Sequence, residues 1–167
     1  CPEYQSALQA PQDKARDLLA AARQANAHIV TAESCTGGLI AALLTEIPGS
    51  SDVVERGFVT YSNQAKQDLL DVPEELLRAH GAVSEPVCGA MAQGALKNAR
   101  AEFSIAVTGI AGPGGGSPDK PVGLVYIAVA SHTGHVIVEE CRFGDIGRHQ
   151  VRLRTVEKAV ELLRSCL

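Results

Sequence analysis

Short runs of β-branched and aliphatic residues alternate along this chain with segments whose apolar residues recur every three or four positions. That alternation constrains the fold more than any other feature. A period near 3.6 buries one side of a helix, whereas a short continuous apolar run suits a strand covered on both faces. DKARDLLAAARQAN (13–26) places Ala15, Leu18, Leu19 and Ala22 on one helical face, HIVTAE (28–33) follows as a buried strand, and LIAALLTEI (39–47) is a helix closed by Pro48-Gly49. VVERGFVTY (53–61) reads as a strand, after which Ser62 caps a short helix through NQAKQDLL. VPEELLRAHG (72–81) is another short helix, with Pro73 near its start and Gly81 at its stop.

The second half repeats the theme with more strand. A helix runs from a Ser84 cap through PVCGAMAQGALKN to about Asn98, and FSIAVTG (103–109) is a strand. VGLVYIAVAS and HVIVEECRF flank Thr133-Gly134 as a hairpin, and VRLRTVEKAVELLRS closes the chain as an amphipathic helix. Helices and strands alternate early and three strands gather late. The expectation is an α/β fold, a three-layer α/β/α sandwich around a mixed sheet, with residues 1–167 forming a single domain. No internal repeat or low-complexity linker interrupts it.

Charge and composition narrow the function classes. Fifteen basic against nineteen acidic residues give a net charge of −4, with the basic residues dispersed until the last twenty positions, so no basic stripe for nucleic acid is expected. Aromatics make up 4% and Trp is absent, which disfavours a base-stacking sheet. No apolar run reaches membrane-spanning length, so no membrane partner is expected. Five cysteines without a C-x-x-C pair, and no zinc-spaced Cys/His cluster, read as mostly reduced thiols of a cytoplasmic protein without metal or cofactor. The chain opens on Cys1 instead of Met, and its natural start is expected to lie elsewhere.

Four stretches carry candidate chemistry. In TAESCTGG (31–38) a strand feeds a helix through Ser34, Cys35, Thr36 and Gly37, aiming backbone N–H groups and a hydroxyl at one small volume, as an oxyanion or a phosphate requires. The plainer reading makes Ser34 or Thr36 a helix cap, and from these residues alone that reading is favoured. Cys35 at a helix start is a possible thiolate nucleophile, but a packed thiol fits better because no histidine is obviously placed beside it. In YSNQAK, Tyr61 ends a strand and Lys66 lies one turn into the next helix. Both can face the strand's carboxyl end, where open α/β sheets build their sites, although solvated lysines are commoner.

TGIAGPGGGSPDKP (108–121) follows a buried strand, and its dense glycines either let a ligand lie against bare backbone or merely connect two strands. It lacks the G-K-[ST] of a Walker A loop, and its SPDK resembles the S-x-x-K of serine acylases only in letters, since Pro118 and Pro121 exclude the helix that motif needs. Finally, RHQVRLR sets Arg148 and Arg152 four apart near the start of the last helix, where a guanidinium fork suits a phosphate and solvent exposure is the commoner fate.

Taken in order, TAESCTGG, GFVTYSNQAK, GAVSEPV and VTGIAGPGGGSPDKPVGLVYIAVA resemble the CinA C-terminal domain family, from about Ala15 to Leu163. The resemblance implies an α/β/α sandwich that hydrolyses the carboxamide of nicotinamide mononucleotide to nicotinic acid mononucleotide and ammonia, with neither metal nor cofactor. It also implies a small-molecule nucleotide as partner and a homodimeric assembly. Carried over by position, it makes Ser34 the nucleophile, Lys66 the base and Tyr61 an assisting group. Cys35, Thr36, Gly37, Thr108, Gly109, Gly112 and Gly114 would surround the substrate, with Arg148 on its phosphate. One departure stands out: Ile146 and Gly147 separate Asp145 from Arg148, where the family pattern runs from Gly-Asp directly into Arg. Two rival functions share these residues, a noncatalytic module binding a nucleotide phosphate and a hydrolase built on Cys35.

Overall fold

β1 (Ile29–Glu33) lies between β2 (Val54–Val59) and β3 (Phe103–Gly109) and runs parallel to both, while β4 (Leu124–Ser131) and β5 (Val136–Arg142) extend the sheet antiparallel. These strands belong to a computed structural model that describes residues 2–167, the Tyr4 side chain excepted; Cys1, one of the cysteines read as reduced, lies outside the described residues. Cys35, Cys88, Cys141 and Cys166 are free thiols. The strand order is β2-β1-β3-β4-β5. After β1 the chain crosses to one side of the sheet, and after β3 it turns to the other. Their carboxyl ends therefore flank a topological switch point, where an open α/β sheet leaves a crevice.

Two apolar clusters follow from the alternation of side chains along the strands. On one face Ile29, Ile105, Val107, Val125, Ile127 and Val129 pack against α1 (Pro2–Gln24), α2 (Leu39–Thr45) and α6 (Arg148–Ser165). On the other, Val30, Ala32, Ala106, Ala128 and Ala130 meet α3 (Asn63–Leu70), α4 (Glu74–His80) and α5 (Glu85–Lys97). The mixed sheet with helices on both faces is as expected. The small residues on the second face let α5 sit close to the sheet, which is how a core nearly without aromatics reaches close packing.

Several boundaries differ from the sequence reading, each for a local reason. α1 begins at Pro2, eleven residues before the expected Asp13, because the helix continues through Pro11, a residue that in sequence reads as a helix boundary. α6 starts at Arg148 instead of Val151 because residues 148–150 are exposed and leave no apolar signal. β2 stops at Val59, and Thr60 and Tyr61 lie beyond its ladder. Ser62 caps α3 as expected, its hydroxyl accepting the Ala65 amide at 3.0 Å. Ser84 occupies the N-cap position of α5, but its hydroxyl donates back to the Gly81 carbonyl at 2.8 Å. Residues 117–120 form no helix, in keeping with rejection of the serine-acylase match.

Gly94 sets how closely α5 approaches α3, since a Cβ added there would lie 1.7 Å from the Leu70 carbonyl oxygen. That oxygen is backbone and cannot swing aside. Gly94→Ala is expected to reduce the unfolding free energy by about 3 kcal/mol, measured by urea denaturation. An unchanged midpoint contradicts this contact.

Candidate active site

Parity along β1 decides which side chains meet at the switch point. Ile29 faces α2 and α6, so Glu33 does too, whereas Val30, Ala32 and hence Ser34 face the layer of α3 and α5. Ser34 continues the strand by donating its amide to the Val107 carbonyl at 3.1 Å, which holds it beside the end of β3. Its hydroxyl caps nothing. Across the crevice, Lys66 lies one turn into α3 and extends inward until only 1% of its surface is exposed.

Among the described residues the Lys66 amine has two hydrogen-bond partners. Nζ lies 3.1 Å from Ser34 Oγ and donates to the Thr60 carbonyl at 2.9 Å. Among the described residues no carboxylate forms an ion pair with it, and burial lowers its pKa from the ordinary 10.5, opposed by the nearby Cys35. A lowered pKa makes the uncharged amine, the form able to accept a proton, easier to reach. A freely solvated Lys66, the commoner fate of such residues, is excluded.

The turn after Ser34 is gripped from two directions. Glu33, completely buried, accepts the Thr36 hydroxyl at 2.6 Å and the Ile40 and Ala41 amides at 2.8 and 3.1 Å. It thereby serves open amides of α2, whose own N-cap, Gly38, has no side chain and sits at φ 102°. Thr36 thus spends its hydroxyl inside the protein, and neither Ser34 nor Thr36 is the cap that the residues alone favoured. From α6, Arg152 Nε and Nη2 donate to the Cys35 and Thr36 carbonyls at 3.2 and 2.9 Å. The Gly37 amide is already committed to the Ser34 carbonyl at 3.0 Å.

A cavity of about 200 Å³ opens above the pair, lined by Ser34, Cys35, Tyr61, Lys66, Thr108, Gly109 and Arg148 among others. Thr108 is fixed by donating to the Ala82 carbonyl at 2.9 Å, and a Cβ on Gly109 would come within 2.6 Å of Val125. Tyr61, 61% exposed, stands at the rim. Arg148 donates to its hydroxyl and to the Gly112 carbonyl, both at 2.8 Å, and so joins three elements across the mouth. Gly114 does not line this cavity. It borders a separate one of about 630 Å³ between the Gly-rich loop and residues 142–145.

Asn63 also lines the cavity and was missed in the sequence, although its place three residues before Lys66 on the same helix puts both on one face. Cys35 lines the cavity with 6% of its surface exposed, and burial pushes its thiol up to about 12, reinforced by Glu33 and opposed by Arg152 and Lys66. No histidine borders the cavity. Both facts weigh against a thiolate nucleophile. Among the described residues no three His, Cys, Asp or Glu side chains converge as metal ligands, and no helix is long and apolar enough to cross a membrane.

Fold and site together define an α/β protein with a serine hydroxyl and a buried lysine amine at the switch point of a mixed sheet. Residues 11–167 match the model of the CinA C-terminal domain, and the chain belongs to that family. It is 53% identical over 138 residues to the nicotinamide-nucleotide amidohydrolase PncC of Escherichia coli (strain K12), covering 82% of each. A CinA-like protein of Parasynechococcus marenigrum (strain WH8102) is 52% identical over 148 residues, 88% of this chain and 35% of its own length. The chain thus spans about a third of such CinA-like relatives. The crystal structure of the competence/damage inducible protein CihA from Agrobacterium tumefaciens superposes with a TM-score of 0.92, at 53% identity, over 93% of this chain and 94% of that one.

A lysine whose native pKa is lowered takes up a proton on unfolding at pH values between that lowered pKa and its ordinary one. Stability therefore rises with pH between the lowered folded pKa and the unfolded 10.5. Lys66→Met removes that dependence. The Tm difference, variant minus parent, is expected to be most positive near neutrality and to shrink as the pH nears about 10. A difference that stays constant or grows with pH contradicts a depressed Lys66.

Proposed function

We propose that this protein hydrolyses the carboxamide of nicotinamide mononucleotide, releasing nicotinic acid mononucleotide and ammonia, with Ser34 as nucleophile and Lys66 as base. The observation that carries the reading is the 3.1 Å approach of a buried Lys66 Nζ to Ser34 Oγ beneath an open cavity. The identity to PncC over 82% of both chains supports the substrate class.

The steps use groups already in place. A neutral Lys66 keeps an N–H on the Thr60 carbonyl and turns its lone pair to the Ser34 hydroxyl. Ser34 Oγ attacks the carboxamide carbon while its proton passes to Nζ. The oxyanion rests on amides of the turn; since that of Gly37 is engaged, Cys35 and Thr36 are the donors, each worth about 3 kcal/mol in comparable sites. As the tetrahedral adduct collapses, the C–N bond breaks and the ammonium of Lys66 returns a proton to the departing nitrogen, which leaves as ammonia past the Tyr61 hydroxyl. Water then attacks the Ser34 ester, Lys66 takes the water proton, the ester C–O bond breaks, and the proton passes back to Ser34. The charge on the substrate phosphate is met at the mouth by Arg148.

Ammonia release from nicotinamide mononucleotide tests the reading. Ser34→Ala and Lys66→Ala are each expected to lower kcat by at least about 1000-fold. Arg148→Ala is expected mainly to raise KM. Activity that survives both dyad substitutions rejects the mechanism. A parent that binds the nucleotide and releases no ammonia is instead the noncatalytic phosphate-binding module.

A further inference from the structure

Glu33 takes no part in the proposed chemistry, yet it is bonded to both sides of it. Its carboxylate holds Thr36, Ile40 and Ala41, spanning the whole turn that begins at Ser34. Its carbonyl accepts the Thr60 amide at 2.8 Å, and the Thr60 carbonyl is the second partner of Lys66 Nζ. A carboxyl group wholly removed from water is costly unless its lone pairs are filled, and here three neutral donors fill them, with no ion pair to it among the described residues. A leucine or alanine in β1 would pack more easily against the α2 face.

We propose that Glu33 is the positioning residue of the Ser34–Lys66 pair: its side chain fixes the turn that presents the hydroxyl, and its main chain fixes the carbonyl that aims the amine. This inference rests on the serine-lysine reading above. Parity along the strand makes the arrangement possible, because adjacent residues point to opposite faces, so one can build the α2 side while the next serves the α3 side. Glutamine is the sharpest substitution. It has nearly the same shape and leaves the Thr60 link intact, but its NH2 must confront a hydroxyl or an amide that is itself a donor. A loosened turn shifts Ser34 relative to Nζ, and misplacement by about 1 Å costs roughly 100-fold in rate.

The experiment compares the parent with Glu33→Gln, Thr36→Val and Ser34→Ala. It measures ammonia release from nicotinamide mononucleotide, the rate at which a fluorophosphonate labels Ser34, and urea unfolding to normalise for folded protein. Glu33→Gln is expected to lower kcat about 100-fold with KM within about twofold of the parent, and to slow labelling similarly. Thr36→Val, which loses one of the three bonds and decides the matter should Glu33→Gln not fold, is expected to lower both about tenfold. Reduced stability with kcat and labelling unchanged per folded molecule makes Glu33 merely structural and overturns the proposal. If the parent releases no ammonia, the labelling rates decide between the same two results. Ammonia release that survives Ser34→Ala removes the dyad itself, and the positioning role with it.

Discussion

A lysine amine buried beside a serine hydroxyl is the constraint on which the rest of this structure depends. Removing an ammonium from water is expensive unless it is paired, and the usual solution is a carboxylate. Here the nearest partners are a carbonyl and a hydroxyl, both neutral. Burial therefore shifts the balance of the folded state toward the uncharged amine. What would be a defect in a purely structural lysine is the property a proton acceptor near neutral pH requires.

The site is assembled mostly from backbone. Ser34 hangs on the Val107 carbonyl, Lys66 on that of Thr60, Arg152 on those of Cys35 and Thr36, and Arg148 on that of Gly112. Carbonyls at strand ends and in tight turns have fixed directions, so the side chains bonded to them are aimed by the sheet rather than by flexible neighbours. The two arginines divide their work accordingly. Arg152 faces inward to the turn that follows Ser34, while Arg148, one helical turn earlier, reaches the rim.

Much of this was legible in the sequence. The apolar periods of residues 13–24 and the β-branched runs of β1, β3 and β4 announce helices and buried strands because packing alone dictates those patterns. Exposed residues 148–150 form helix without leaving a periodic trace, and Pro11 hides the first turns of α1 by reading as a boundary. The residues of YSNQAK and TAESCTGG were visible as chemistry-bearing, and their resemblance to a family paired Ser34 with Lys66 across 32 positions. The residues taken singly favoured a capping serine, since the helix start could not be placed at Gly38 without its left-handed φ. Glu33 was beyond reach for a related reason: a strand residue that serves amides seven and eight positions later is recognised only once the turn's path is known. The split of the Gly-rich stretch, with Gly109 beside Ser34 and Gly114 in the neighbouring cavity, likewise depends on how that loop folds.

An NMR titration of the Lys66 ε-methylene in the native protein, assigned by comparison with Lys66→Met, tests the central claim most directly. The account predicts a midpoint displaced well below those of the exposed lysines. A Lys66 that titrates with its solvated counterparts would mean a charged amine at neutral pH, which could not accept the proton of Ser34.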